Sequence, residues 1–203
     1  MVATVEAQKE FQEKAIPEGI QVHFETTVES ARNDADTYFY LLNEESLQAD
    51  ISALRAFKKP VIVNAVITTL ADLPGMFVRL NAWPGFFERS VLEVSYRDEL
   101  AEVVKTIFHK LEWKYQLVPD VPGMIAARVI SMIVNEAYFA LEDEVSTKEE
   151  IDIAMKLGTN YPYGPFEWSK KIGLDNIQRL LSNLAETDTS YTPSALLIKE
   201  VIK

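Results

Sequence analysis

Nothing in this chain of 203 residues offers a thiolate. It contains no cysteine, so sulfur nucleophiles, disulfides and cysteine-based metal sites are excluded. Proton transfer near neutral pH falls first to histidine, and there are two, His23 and His109. His23 lies on the polar side of the alternating run Ile20-Gln21-Val22-His23-Phe24, and His109 falls off the apolar face of its helix, so both read as surface residues rather than bases. A turn that cradles phosphates needs glycines, and Gly19 is the one glycine before Gly75. The densest cationic cluster, Arg55, Lys58 and Lys59, reads as a complement to a helix C-terminus. Asn135 and Glu136, inside an apolar helical stretch, read as partners for local backbone or interhelical hydrogen bonds.

The most distinctive stretch runs from Ser146 to Asn176. Ser146 followed by Glu149 predicts a capping box, Ile151, Ile153, Ala154 and Leu157 give the helix an apolar face, and Gly158 is expected to close it. The turn Tyr161-Pro162-Tyr163-Gly164-Pro165-Phe166 follows, and Phe166, Glu167 and Trp168 begin the next helix. Two prolines hold this turn rigid, and its aromatic content is too high for an ordinary solvated loop. It either packs between helices or lines a pocket, and aromatic packing is the expectation.

Composition bounds the rest. The chain is 48% hydrophobic and 25% charged, an ordinary globular balance, and its length supports one large domain or two small ones. A formal net charge of −11 argues against nucleic-acid binding and makes any polyphosphate ligand depend on a local basic patch or a helix N-terminus. The first residues have no basic region and turn polar after a few positions, and no apolar run approaches the ~18 residues of a membrane span. A cytoplasmic protein with no membrane partner is therefore expected.

The elements that must position these residues alternate. Met1–Val5 is β-prone, Glu6–Ala15 a polar helix, and Ile20–Phe24 a half-buried strand by its alternation. Thr37–Leu42 and Pro60–Val66 are continuous apolar runs of the kind buried in a parallel sheet, with a helix from about Ser46 to Phe57 between them. Phe77–Leu80, Val91–Val94 and Gln116–Val118 complete the strands, and Arg97–Lys114 is an amphipathic helix with Leu100, Val103, Val104, Ile107, Phe108 and Leu111 inward. From Pro122 the character is all-helical: Met124–Leu141 is apolar almost all round, Leu174–Ala185 is a further helix, and Pro193–Lys203 the last. The fold expected is α/β followed by all-α, divided into residues 1–120 and 121–203.

Three motifs in the second part carry a resemblance. Asp120-Val121-Pro122-Gly123-Met124-Ile125-Ala126-Ala127-Arg128, Asn135-Glu136-Ala137 and the turn Tyr161–Trp168 with its flanking Lys156-Leu157-Gly158 and Ile172-Gly173-Leu174-Asp175 resemble the helical C-terminal domain of the 3-hydroxyacyl-CoA dehydrogenase family. The resemblance implies a truncated Rossmann-like sheet in front of that domain, a homodimer through the 124–141 helix, and an acyl-CoA ligand. Members of the family bind NAD through a Gly-x-Gly-x-x-Gly turn. Here Val5-Glu6-Ala7 stands after the first strand, so no cofactor is expected.

The resemblance also implies where the chemistry would be. Laying Leu92-Glu93-Val94 on the family's Val-Glu-Val places the catalytic His at Asn81, while the substrate-binding Asn falls at Ala127 and the Ser near Val66. Glu93 is then the one retained catalytic position. An amide takes no proton near neutral pH, and neither Ala127 nor Val66 can hydrogen-bond an oxyanion through its side chain. The sequence thus reads as a dehydrogenase relative that has lost NAD binding and redox catalysis, in fatty-acid metabolism. The alternative is an active NAD-dependent enzyme with displaced catalytic residues or a separate nucleotide-binding chain.

Overall fold

The first strand, β1 (Val2–Ala3), is short because Thr4 already caps a helix: its side chain accepts from the Ala7 amide at 3.1 Å, and α1 (Val5–Glu13) follows. In this computed structural model residues 1–32, 34–73 and 75–202 are described. The apolar runs then form β2 (Tyr38–Leu41), β3 (Val61–Asn64) and β4 (Phe77–Leu80), with α2 (Glu44–Leu54) between the first two, capped by Asn43. Next come β5 (Val91–Ser95), a short 3-10 turn over Asp98–Leu100, α3 (Ala101–Lys110) and β6 (Lys114–Leu117).

These six strands make one sheet in the order β1-β2-β3-β4-β5-β6. β1 to β4 run parallel, β5 is antiparallel to β4, and β6 is parallel to β5. Period-2 alternation feeds two cores. Phe39, Leu41, Ile62, Val78 and Leu80 point to the face covered by Phe11 of α1 and by Val104 and Phe108 of α3. Tyr38, Tyr40, Val61, Val63 and Phe77 point to the other, where Leu47 and Leu54 of α2 pack. Phe11 is a hub: its ring stacks on Phe87 at 5.9 Å and meets Trp113 edge-on at 5.3 Å.

Ile20–Phe24 does not become a strand. The segment is irregular, with a single parallel bridge, Val2 to Glu25, and the Glu25 amide donating to the Met1 carbonyl at 2.8 Å. The alternating pattern is real, and Ile20 and Val22 pack on the core; but β1 has two residues, so no ladder can propagate.

The chain divides into compact units at Met1–Met124 and Ile125–Lys203. The second unit is helical: α4 (Ala126–Glu142), α5 (Lys148–Thr159), α6 (Pro165–Ile172), α7 (Leu174–Ala185) and α8 (Ala195–Val201). The capping box of α5 is Thr147 with Glu150, one residue beyond the expected Ser146 and Glu149; the Ser146 hydroxyl donates to the same Glu150 at 2.7 Å. Gly158 does not close the helix, which runs to Thr159 and ends on Asn160 in the left-handed region (φ 55°), a conformation asparagine tolerates.

Candidate functional site

The carboxyl ends of β2, β3 and β4 gather a group of buried polar side chains. Asn64, the last residue of β3, donates to the Leu42 carbonyl at 3.2 Å and accepts from the Ala82 amide at 3.1 Å, so one amide ties three chain segments together. Asn81 follows β4 directly and is 2% exposed. Its Nδ2 donates to Glu93 Oε2 at 3.2 Å, and its backbone amide donates to the Glu93 carbonyl at 3.1 Å. The β4–β5 register, with Leu80 opposite Val94, fixes this pair. Glu93 is half-buried in β5. Asn81 Oδ1 accepts from the Trp83 amide at 3.4 Å.

The loop after β3 is occupied by the chain's own carboxylates. Glu44, in the first turn of α2, accepts from the Ile67 amide at 2.7 Å, the Thr68 amide at 3.3 Å and the Thr68 hydroxyl at 2.6 Å. Asp120 accepts from the Leu70 amide at 3.0 Å. Arg79, fully buried on β4, pairs with Asp120 and donates to the carbonyls of Ala65 at 3.0 Å, Val66 at 3.0 Å and Val121 at 3.2 Å. Burial lowers the Arg79 pKa from its ordinary value, opposed by Asp120. Val66 itself is buried, and its carbonyl also accepts from the Gly123 amide at 2.8 Å.

The structure therefore brings Asn81 and Glu93 into contact, with Val66 in the same unit; Ala127 is fully buried in α4 of the second unit. His23 and His109 are both exposed. Asn135 accepts from the Ser194 amide and donates to the Thr192 carbonyl, both at 2.9 Å, so it anchors the approach to α8. Asn64, Glu44, Arg79 and Asp120 were not foreseen as a network. The available signal was a polar residue ending or interrupting an apolar strand run, as in Val61-Ile62-Val63-Asn64 and Phe77-Val78-Arg79-Leu80.

The turn of the helical unit is packed. Tyr163 and Trp168 meet edge-on at 4.8 Å, and Tyr138 and Phe166 at 5.1 Å. Asp152, almost buried on α5, accepts from the Phe166 amide at 2.8 Å, and Glu167 accepts from the Gly164 amide at 2.9 Å.

Residues 123–203 match the model of the 3-hydroxyacyl-CoA dehydrogenase C-terminal domain. Over that stretch the chain is similar in sequence to the 3-hydroxyacyl-CoA dehydrogenases. It is 45% identical over 82 residues to the 3-hydroxyadipyl-CoA dehydrogenase of Escherichia coli K12, covering 39% of this chain and 17% of that protein. To a 3-hydroxybutyryl-CoA dehydrogenase of Bradyrhizobium diazoefficiens it is 37% identical over 106 residues, 51% of this chain and 36% of the relative. The matched region thus spans well under half the length of these relatives. The fold extends further than the sequence match: the (S)-3-hydroxybutyryl-CoA dehydrogenase PaaH1 of Ralstonia eutropha superposes with a TM-score of 0.70 at 22% identity, over 88% of this chain and 69% of that one. FadB2 of M. tuberculosis gives 0.71 at 19%, with the same coverage. The Rossmann-like sheet followed by a helical domain is the family's architecture.

Proposed function

We propose that this chain is a 3-hydroxyacyl-CoA dehydrogenase-like protein without NAD-dependent redox catalysis, whose helical unit serves as a homodimerisation or acyl-CoA-binding platform in fatty-acid metabolism. The observation that carries the reading is the Asn81–Glu93 pair. The side chain hydrogen-bonded to the one retained carboxylate is an amide, which cannot act as a general base. The β1–α1 connection supports it: a dinucleotide pyrophosphate needs a glycine turn and free amides at the helix start, yet here Thr4 takes the Ala7 amide and Glu6 places a carboxylate in the first turn. The residues present at this turn do not fit NAD.

The dimer rests on α4 and α5. Ile125, the residue before α4, and Val129 and Phe139 on it are 45%, 48% and 38% exposed, and Ile153 and Leu157 of α5 are 53% and 83% exposed. Large apolar side chains left exposed on these two helices are the ones a second copy could cover.

Thermal-shift titration with NADH, acetoacetyl-CoA and a longer acyl-CoA tests the ligands, because one that binds only the folded state adds roughly 2.7 kcal/mol at ~100 times its dissociation constant. Stabilisation by acyl-CoA without any by NADH is expected. Stabilisation by NADH, together with NADH oxidation on acetoacetyl-CoA, would establish the enzyme instead.

A further inference from the structure

The opposite ends of the central strands hold a depression that the dehydrogenase reading does not use. It opens at the amino ends of β3 and β4, where Val61 and Phe77 begin their strands, with a volume of about 420 Å³. That lies within the roughly 300–1,000 Å³ of small-molecule sites. Phe57, Val61, Met76 and Phe77 give it an apolar lining, and Arg55 and Lys58 are its cations. The Phe57 ring is fixed by stacking on Tyr38 at 3.9 Å. The Met76 carbonyl is held by the Val61 amide at 3.0 Å. Arg97 braces the other wall, donating to the carbonyls of Leu70, Leu73 at 2.7 Å and Gly75 at 3.4 Å.

In a protein with 31 acidic and 20 basic residues, cations normally find carboxylates. Neither Arg55 nor Lys58 has an ion pair or side-chain hydrogen bond among the described residues. Arg55 is the C-cap residue of α2, but it serves there through its backbone: the carbonyls of Ile51, Ala53 and Leu54 accept from the amides of Arg55, Ala56 and Phe57, and neither side chain donates to them. Two unpaired cations over an apolar floor match one ligand chemistry: an anionic head on a short apolar tail. An inorganic anion would leave the floor wet, and a neutral tail would leave the cations unused.

We propose that this depression binds a small amphipathic anion, a carboxylate or phosphate ester carrying a short aliphatic tail. The site shares no residue with the Asn81–Glu93 pair. Titrating the intact chain by amide NMR with hexanoate, hexyl phosphate and 1-hexanol tests it, and the two anions distinguish the head group. Saturable shifts are expected at residues 54–61 and 75–77 with at least one anion and not with the alcohol, and the double variant Arg55→Glu/Lys58→Glu is expected to weaken binding more than fivefold. Both positions are exposed, so the variant should keep the wild-type circular dichroism spectrum. Equal binding of hexanol, shifts centred elsewhere, or a smaller effect of the double charge reversal would overturn the proposal.

Discussion

At the scale of the residue, the most consequential side chain is Arg79, a guanidinium with no exposure in the middle of a sheet. Desolvating a charge costs several kcal/mol, and Arg79 offsets this with three backbone carbonyls and the Asp120 carboxylate. Removing the carboxylate leaves that charge with carbonyl dipoles but no counter-charge and strips the Leu70 amide of its acceptor. Asp120→Ala is therefore expected to cost about 3–5 kcal/mol in urea denaturation, and Asp120→Asn less, because an acceptor for Leu70 remains. In an Arg79→Met background the same Asp120→Ala change should cost less than half as much; an unchanged cost would show that the loop amide, not the guanidinium, needs Asp120. The sequence could not disclose this network. A charge inside Phe77-Val78-Arg79-Leu80 marks an anomaly, but its partners lie 13 to 42 positions away in the chain. Asn81 is reached from the sequence only through the family resemblance, by laying Leu92-Glu93-Val94 on its Val-Glu-Val, and the β4–β5 register of the structure is what sets it beside Glu93.

At the scale of the element, the helical unit shows how local chemistry fixes a turn. A Cβ built on Gly164 would lie within 2.5 Å of Asp152 Cα and Cβ, and backbone cannot step aside as a side-chain tip can. Gly164→Ala should destabilise the unit by about 2–3 kcal/mol through overpacking, seen as a lower midpoint in chemical denaturation. The caps are acid-labile. Hydrogen bonds from Ser146 and Thr147 hold the Glu150 carboxyl below its usual range, and Lys156 with the Gly164 amide does the same for Glu167. A depressed folded-state pKa contributes stability above the unfolded value of about 4.3, lost as pH falls through the folded value. Asp152 acts in the opposite sense: burial raises its carboxyl, so its protonation on acidification relieves a cost. Helicity followed by circular dichroism from pH 6 to 2 should fall in acid, and Glu150→Gln with Glu167→Gln should flatten that fall, whereas Asp152→Asn should help stability more at pH 7 than at pH 3. The one-residue shift of the α5 cap belongs here too. Ser146-x-x-Glu149 and Thr147-x-x-Glu150 are equivalent as motifs, and the choice falls to the register that buries Asp152 against Phe166. Ile20–Phe24 failed as a strand for a different reason, since alternation describes one segment while a ladder needs two.

At the scale of the whole molecule, most of the architecture was readable because it is written in long periodic segments. Phe77–Leu80 and Leu174–Ala185 fall where their patterns end, and Met124–Leu141 is apolar on more faces than one packed helix needs. The structure separates those faces: Ala127, Val134 and Tyr138 are buried, while Val129 and Phe139 on α4 and Leu157 on α5 remain in water. Burying apolar area releases about 25 cal/mol per Å², so a face of this kind favours association once it finds a complementary surface. A second copy supplies one by symmetry, because a two-fold interface sets the same patch against itself. The formal charge of −11 per chain opposes self-association by long-range repulsion. Salt screens that repulsion over about 10 Å at 0.1 M while leaving apolar contact intact, so raising the salt concentration should strengthen the dimer. Multi-angle light scattering at micromolar concentration is expected to give twice the 23.0 kDa chain mass, with Val129→Glu or Leu157→Glu returning it to monomer at an unchanged helical spectrum. A wild-type chain that scatters as a monomer at every salt concentration would remove the dimer and leave these side chains as a surface for some other partner.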